Sequence, residues 1–132
     1  HAMGAHGVII GKDRASPVTP TVAKASAGAI EHCPVARVTN ISQTIDKLKD
    51  KNVWSVALAA DAERPIGSID LAGASAIVIG SEGDGIRRLV RKNCDSEAHI
   101  PMAGKVDSLN AAASAAICLY EAVRQRSPGS RK

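Results

Sequence analysis

The stretch Ile77-Val-Ile-Gly-Ser-Glu-Gly-Asp-Gly-Ile86 decides the expected fold of this 132-residue chain. Its apolar beginning predicts a buried strand, and the glycines that follow predict a tight turn. The turn holds Glu82, and basic residues beyond it continue as a helix. A strand that runs into a glycine-rich turn and then into a helix is typical of α/β proteins, in which such turns also bind ligands.

A second element of the same kind runs from Ile100 to Ala113, with the sequence Ile-Pro-Met-Ala-Gly-Lys-Val-Asp-Ser-Leu-Asn-Ala-Ala-Ala. It places Gly104 after an apolar strand and before a helix. Two such loops predict a pocket that grips a ligand with backbone groups. The alternative is that each loop is only a tight strand-to-helix turn, in which glycine supplies a positive φ at no steric cost.

The common nucleotide-binding motifs do not match these loops. Gly80, Gly83 and Gly85 follow the order G-x-x-G-x-G, the reverse of the dinucleotide fingerprint, and no acidic residue ends a following strand at the required distance. A phosphate-binding P-loop needs Lys and then Ser or Thr after its last glycine, whereas Ile86 and Arg87 stand there. A Rossmann-type nucleotide-binding protein is therefore disfavoured.

Strand and helix patterns alternate along the rest of the chain. The predicted strands cover residues 7–11, 34–40, 53–59, 75–79 and 97–101; the predicted helices cover 21–30, 41–51, 85–93 and 109–126; loops cover 12–20 and 61–68. Thr19 before Pro20 is a candidate cap for the first helix, and Asn40 or Ser42 for the second. This alternation predicts an α/β fold with a mostly parallel sheet flanked by helices.

Composition limits the classes of protein that the chain can represent. Its length suits one domain with a single core, and 45% of the residues are hydrophobic. No apolar run reaches the length of a membrane span, and no signal peptide is visible. Three cysteines, Cys33, Cys94 and Cys118, match neither a disulfide framework nor a zinc spacing, and the four histidines form no metal-ligand pattern. We expect a cytoplasmic protein without a metal.

The formal net charge of +4 permits a polyanionic partner. Basic residues cluster on the predicted third helix and at the end of the chain: Arg87, Arg88, Arg91 and Lys92, then Arg124, Arg126, Arg131 and Lys132. These clusters are either solvated helix faces or contacts to RNA phosphates. Trp54 and Tyr120 are the only aromatic residues of the Phe, Trp and Tyr group, which disfavours a base-stacking platform.

Together the two loops resemble motifs 2 and 3 of the SpoU–TrmH family of RNA ribose 2′-O-methyltransferases, within the SPOUT superfamily. Motif 2 of that family reads as an apolar strand, Gly-x-Glu-Gly-x-Gly and a basic helix, which corresponds to residues 77–92. Motif 3 reads Ile-Pro-Met-x-Gly-x-x-x-Ser-Leu-Asn followed by small residues, which corresponds to residues 100–115. The resemblance covers nearly the whole chain, and it is strongest to the bacterial branch that methylates a guanosine ribose in 23S ribosomal RNA.

The resemblance implies a fold, a reaction and partners. Residues 1–126 would form the catalytic domain, residues 127–132 a flexible tail, and the chain from about Val78 to Ala116 a deep trefoil knot. The methyl donor would be S-adenosylmethionine, the substrate ribosomal RNA or, as an alternative, transfer RNA, and the protein a homodimer.

Either a cloning remnant or native sequence explains His1 to Met3. The family aligns them with native sequence after motif 1, so we expect that the chain begins within a longer protein and that motif 1, with its catalytic arginine, precedes His1. Without that arginine the chain could bind cofactor without turnover.

The resemblance also assigns roles to individual residues. The cofactor contacts would be Ala59, Gly80, Ile100, Met102, Gly104 and Leu109, with Ala60 beside Ala59. The residues at the reacting centre would be Glu82, Ser108 and Asn110.

Each of the polar assignments has a structural alternative. Glu82 could cap the following helix or pair with an arginine, and Ser108 and Asn110 could cap the last helix. At the level of function, the alternative to an enzyme is a non-catalytic relative that binds RNA and has lost turnover.

Overall fold

The computed structural model describes residues 1–12 and 19–129. The described residues form five strands and four α-helices, which alternate as the sequence predicts. The strands are β1 Val8–Gly11, β2 Val35–Val38, β3 Trp54–Leu58, β4 Ser75–Val78 and β5 Ser96–Ala98, and the α-helices are α1 Pro20–Ala25, α2 Ile41–Asp50, α3 Arg88–Asn93 and α4 Ala111–Arg126. The predicted loop 12–20 and the predicted tail 127–132 each lie partly outside the described residues.

All strand pairs are parallel, as predicted, but the described strands form two sheets instead of one. β1 pairs with β2, and β3 lies between β4 and β5 in a separate three-stranded sheet. β3 is the most buried strand, because Ser55, Val56 and Ala57 are almost inaccessible to solvent. A central strand covered on both faces explains why the buried residues of β3 other than Ser55 are apolar.

Two helices, α1 and α3, are shorter than the sequence predicts by three residues or more, and residues with positive φ end or delay them. α1 stops at Ala25 because Ala27 and Gly28 adopt φ angles of 51° and 81°, after which the chain forms a short 3-10 helix at Ala29–Glu31. α3 starts at Arg88, not at Gly85, because Gly85 adopts a φ of 68° within the preceding turn. The helix caps agree better with expectation: Thr19 accepts a hydrogen bond from Val22 N and Asn40 accepts one from Gln43 N.

β5 lies between β3 and a second segment of the chain that follows β3. On one side, Ala59 N donates to Ala98 O at 2.9 Å; on the other, Ile66 N donates to His99 O at 2.8 Å and His99 N donates to Arg64 O at 2.9 Å. Residues 59–63 therefore span from one side of β5 to the other. The predicted loop 61–68 is thus partly an added edge of the sheet, and it ends in a 3-10 helix at Ile66–Ser68.

The core joins this sheet to α4. Its buried members are Val56, Ile66, Ile69, Leu71, Ala98, Cys118 and Ala122. The last turn of α4 is also bound to the segment before β4: Gln125 Oε1 accepts from Leu71 N at 2.7 Å, and Arg126 Nε donates to Leu71 O at 3.0 Å. These contacts satisfy the backbone of the fully buried Leu71, so the end of α4 is fixed to the core.

Within residues 1–12 and 19–129, no helix combines the length and the apolar character that a membrane crossing requires.

Candidate functional site

The ends of three parallel strands meet at one edge of the central sheet. Ala57 is paired with Val78 on β4 and with Glu97 on β5, so the three strands end at the same level. Ala59, Gly80 and Ile100 follow these ends directly. The structure therefore brings the two glycine loops and the end of β3 to one edge, which is where ligands bind in open parallel sheets.

The turn from Ser81 to Gly85 closes on itself and leaves no space at Gly80. Ser81 and Gly85 exchange two backbone hydrogen bonds of 3.0 and 3.2 Å. A Cβ added to Gly80 would lie 2.2 Å from the carbonyl carbon of Gly85 and 2.4 Å from Ile86 N. Gly83 and Gly85 adopt positive φ angles of 90° and 68°. Glycine at Gly80 is therefore required by the fold of the turn, whether or not a ligand contacts it.

The loop from residue 101 to residue 109 differs from the Ser81–Gly85 turn, because its backbone groups are not paired by hydrogen bonds within the described chain. All of its residues are solvent-exposed. Its backbone N–H and C=O groups form no hydrogen bond to any other described residue. Main-chain donors and acceptors beside the apolar side chains of Met102 and Leu109 suit a flat ligand with polar edges, such as a nucleobase. Gly104 has no heavy atom within 4 Å of the position of a Cβ, so it does not serve local packing.

The three polar residues expected at the reacting centre lie in different settings. Glu82 stands at the exposed tip of the Ser81–Gly85 turn, and within the described chain its carboxylate has neither a hydrogen-bond partner nor an ion-pair partner. It caps no helix, since Arg87 is the N-cap of α3. Asn110 caps α4 by accepting a 2.8 Å hydrogen bond from Ala113 N, which is the structural alternative for this residue. Ser108 is exposed and does not cap α4.

Arg91 joins the three segments that border this edge of the sheet. From α3, its Nε and Nη2 atoms donate to the two carboxylate oxygens of Glu97 on β5 at 2.7 and 3.1 Å. Its Nη1 atom lies 2.9 Å from Oδ1 of Asp61, which follows Ala59 and Ala60. The hydrogen bond from Arg91 holds the pKa of Glu97 below its usual range, and the hydrogen bond to Glu97 raises the pKa of Arg91 further. Both groups therefore stay charged, and the fork geometry fixes the distance between α3 and β5.

His99 fixes the segment that crosses β5. Its Nδ1 atom lies 2.8 Å from Ala62 O, and its backbone bonds to Arg64 and Ile66 extend the sheet. In the sequence, His99 carried no signal of this role, because it matched no ligand spacing. The sequence predicts Arg91 only as one of the clustered basic residues of α3, so its role in joining the three segments is not predicted.

The basic clusters are accordingly smaller than the sequence suggests. Arg126 donates to main-chain oxygens of the segment before β4, and Arg124 pairs with Glu121 at 2.7 Å. Arg87, Arg88 and Lys92 have no acidic partner within the described chain and remain available for an anionic ligand. Arg131 and Lys132 lie outside the described residues. Within residues 1–12 and 19–129, no three His, Cys, Asp or Glu side chains come together in an arrangement that could hold a metal ion.

Comparison with known proteins gives one consistent family. The model of the SpoU rRNA methylase family matches residues 1–120. The 23S rRNA (guanosine-2′-O-)-methyltransferase RlmB of Coxiella burnetii is 52% identical over 126 residues, which cover 96% of this chain and 50% of that protein. RlmB of Escherichia coli K12 is 45% identical over 126 residues, which cover 96% of this chain and 52% of that protein. The chain thus spans about half the length of the curated relatives it matches.

Solved structures agree with the sequence matches. The SpoU methyltransferase AviRb from Streptomyces viridochromogenes, in complex with the cofactor AdoMet, superposes with a TM-score of 0.86 at 32% identity, over 95% of this chain and 49% of that one. An RNA 2′-O ribose methyltransferase superposes with a TM-score of 0.82 at 34% identity, over 95% of this chain and 48% of that one.

Replacement of Arg91 by lysine tests whether the guanidinium fork holds this edge together. Lysine keeps the charge but cannot bind two carboxylates in a fixed geometry. We expect amide hydrogen exchange in residues 59–65 and 97–101 to become faster by several-fold on average. Lys92→Arg is the matched control, because Lys92 is the exposed neighbour and has no acidic partner in the described chain. Equal exchange in Arg91→Lys and wild type would show that the ion pairs do not hold the edge.

Proposed function

Because this chain belongs to the SpoU rRNA methylase family, we propose that it binds S-adenosylmethionine at the carboxyl ends of β3, β4 and β5 and serves methyl transfer to a ribose 2′-hydroxyl of RNA. The observation that carries the proposal is the loop 101–109, whose main-chain polar groups are unpaired within the described chain beside the closed Gly80–Gly85 turn. We further propose a guanosine of 23S ribosomal RNA as the target, since the relatives named RlmB act on that substrate class.

Six residues would form the cofactor contacts in this proposal. Three follow the strand ends, namely Ala59, Gly80 and Ile100, and three lie on the motif 3 loop, namely Met102, Gly104 and Leu109. Ile100 packs against the buried core and so gives the loop a fixed origin. Met102 and Leu109 are 38% and 40% exposed, so both offer apolar surface to a ligand. A site built from main-chain groups needs backbone that approaches the ligand closely, which explains a glycine at residue 104.

The chemistry of the reaction restricts what the protein must do. The sulfonium of S-adenosylmethionine supplies an activated methyl group that a 2′-oxygen can attack in line. The protein's task is to orient the 2′-hydroxyl by hydrogen bonds that it donates and accepts, which is catalysis by positioning. We propose that Glu82, Ser108 and Asn110 do this. The unpaired carboxylate of Glu82 is able to accept a hydrogen bond from a ribose hydroxyl or from an arginine, and Asn110 still has its amide N–H₂ to donate while its oxygen caps α4.

We also propose that the chain between about Val78 and Ala116 is knotted. The support is the position of β5 between β3 and residues 64–66. Residues 59–63 already connect these two segments earlier in the sequence, so β5 enters a gap that a chain connection spans. The alternative is an unknotted path in which residues 59–63 pass around β5 without enclosing it. An experimental backbone trace that straightens when its two ends are pulled apart would refute the knot.

A cytoplasmic location is likewise proposed, because the three cysteines are free thiols, and fractionation of cells would test it.

Calorimetric titration tests the cofactor. We expect S-adenosylmethionine and S-adenosylhomocysteine to bind and NAD not to bind. Gly104→Ala should weaken cofactor binding on the order of tenfold, because the added methyl would intrude on the loop's contact with the ligand, while thermal stability stays within about 0.5 kcal/mol of wild type. Gly80→Ala is the contrasting control, because its Cβ would clash with Gly85 and lower stability by about 1–3 kcal/mol. Wild-type affinity in Gly104→Ala would remove Gly104 from the site.

Transfer of labelled methyl groups to a 23S rRNA transcript tests the reaction in the native protein. Glu82→Gln and Asn110→Asp should lower the rate on the order of 100-fold, a typical loss for a positioned hydrogen-bonding group, with cofactor affinity unchanged. Asn110→Asp keeps the oxygen that caps α4, so it separates chemistry from helix capping. Full activity in Asn110→Asp would leave Asn110 with the capping role alone. A protein that binds cofactor but methylates neither ribosomal nor transfer RNA would be a non-catalytic relative.

Light scattering tests the homodimer that we also propose. Its support is a set of exposed apolar side chains on the motif 3 loop and α4, including Val106 at 66% and Tyr120 at 59% exposure, which a second copy would cover. We expect twice the mass of a single chain, and a shift to the single-chain mass in Tyr120→Asp. Thr21→Asp is the matched control, because it adds the same charge at an exposed position of α1. A single-chain mass for the wild type would refute the dimer.

A further inference from the structure

A basic cleft lies at the end of the smaller sheet, on elements that are not used by the cofactor site. It has a volume of about 320 Å³ and is bordered by Lys12, Arg37 and Lys47 together with Thr39, Asn40 and Gln43. Lys12 follows β1, Arg37 lies on β2 and Lys47 on α2, so three separate parts of the chain each contribute one basic residue to its lining. No acidic side chain of the described residues borders the cleft.

The cations of the cleft are not neutralised within the described chain. Lys12 and Lys47 have no ion-pair partner there, and the one described side-chain bond of Arg37 runs from Nη2 to the backbone oxygen of Lys12 at a long 3.5 Å. The nearest acid on α2 in sequence, Asp46, accepts a 2.9 Å hydrogen bond from Asn93 on α3 and so is directed to a different neighbour. Three like charges around one cleft repel one another, and an anion between them would remove that cost.

The cleft also offers neutral donors. Asn40 accepts the capping hydrogen bond from Gln43 N through Oδ1 at 3.0 Å, which leaves its N–H₂ group without a partner in the described chain. The amide of Gln43 lies beside it. Of the lining side chains that the structure describes, only Val38 is apolar, and none is aromatic. This composition does not match the aromatic and apolar centre of a protein interface, nor a base-stacking site, but it matches the contacts made to sugar–phosphate backbone.

We propose that this cleft binds the phosphodiester backbone of the substrate RNA, as a sequence-independent contact that places the RNA across the domain. The proposal rests on the proposed function, because it assigns part of the substrate of that reaction to β1, β2 and α2. A grip made of charges and amide donors contributes affinity and orientation but carries no information on base identity. The choice of nucleotide then depends on other contacts.

Fluorescence anisotropy with labelled RNA hairpins tests the cleft. Lys12→Gln/Lys47→Gln should weaken binding by roughly fivefold to tenfold near 0.1 M KCl, and by the same factor for hairpins of unrelated sequence. The slope of log affinity against log salt should become shallower by roughly 1.4 to 1.8, or about 0.7 in a single-stranded part to about 0.9 in a duplex stem for each phosphate that the variant no longer neutralises. Lys24→Gln/Lys51→Gln is the matched control, because it removes two exposed lysines that do not border the cleft. The control should bind RNA nearly as the wild type does.

Other results would overturn the proposal. Equal weakening in both double variants would show that only net charge matters, and wild-type affinity in the cleft variant would show that RNA does not contact the cleft. Polyglutamate can be added as a competitor at the same total charge as the RNA. If it displaces RNA from the wild type and not from the cleft variant, the cleft prefers an acidic polypeptide, and this would overturn the assignment to RNA. Titration with S-adenosylmethionine in parallel separates the two proposals. Failure of the wild type to bind it refutes the methyltransferase site, whereas a cleft variant that binds it normally but binds RNA with the expected lower affinity supports the cleft independently.

Discussion

The parallel register of β3 with both β4 and β5 is the constraint on which the candidate site depends. Because Ala57 is level with Val78 on one side and Glu97 on the other, the chain leaves all three strands at one edge. The strand register by itself brings these three segments to the same edge. The site can therefore consist of small residues and main-chain groups, and its geometry depends on the hydrogen-bond ladder of the sheet and on the Arg91 fork that connects α3, β5 and the segment after β3.

Much of this arrangement could be predicted from the sequence, because local signals carry it. The order of strands and helices, the cap at Thr19 and the glycine turn after β4 all follow from patterns within a few residues. The early end of α1 could not be predicted, since Ala27 adopts a positive φ that alanine rarely takes and that only tertiary structure selects. The division into two sheets and the insertion of β5 beside residues 64–66 could not be predicted either, because pairing between strands distant in sequence has no local signal.

The residues of the candidate site likewise fall into two groups: those that a local sequence pattern predicts and those that are recognisable only in the folded chain. The predicted glycines and small residues stand at positions that a motif spacing marks, and for Gly80 the structure gives a steric reason that is independent of any ligand. Asn110 is predicted for the same reason, and the structure commits its oxygen to the cap of α4, so in the proposed site only its N–H₂ group is left for the substrate. Arg91 and His99 were missed in their observed roles, because a residue that acts by joining two segments is recognisable only when both segments are in place.

The basic residues show that their position in the fold, more than their clustering in the sequence, decides whether they can bind an anion. Arg91 and Arg126 belong to the densest basic runs of the sequence, but both are bound to the protein itself, one to carboxylates and one to main-chain oxygens. Lys12, Arg37 and Lys47 are far apart in the sequence and formed no pattern, yet the fold places them around one cleft. An arginine that already has two carboxylates gains little from a phosphate, whereas three cations without an acidic partner among the described residues gain from any anion that fits among them. The electrostatic field at the surface is therefore set by the cations to which the described part of the fold gives no acidic partner.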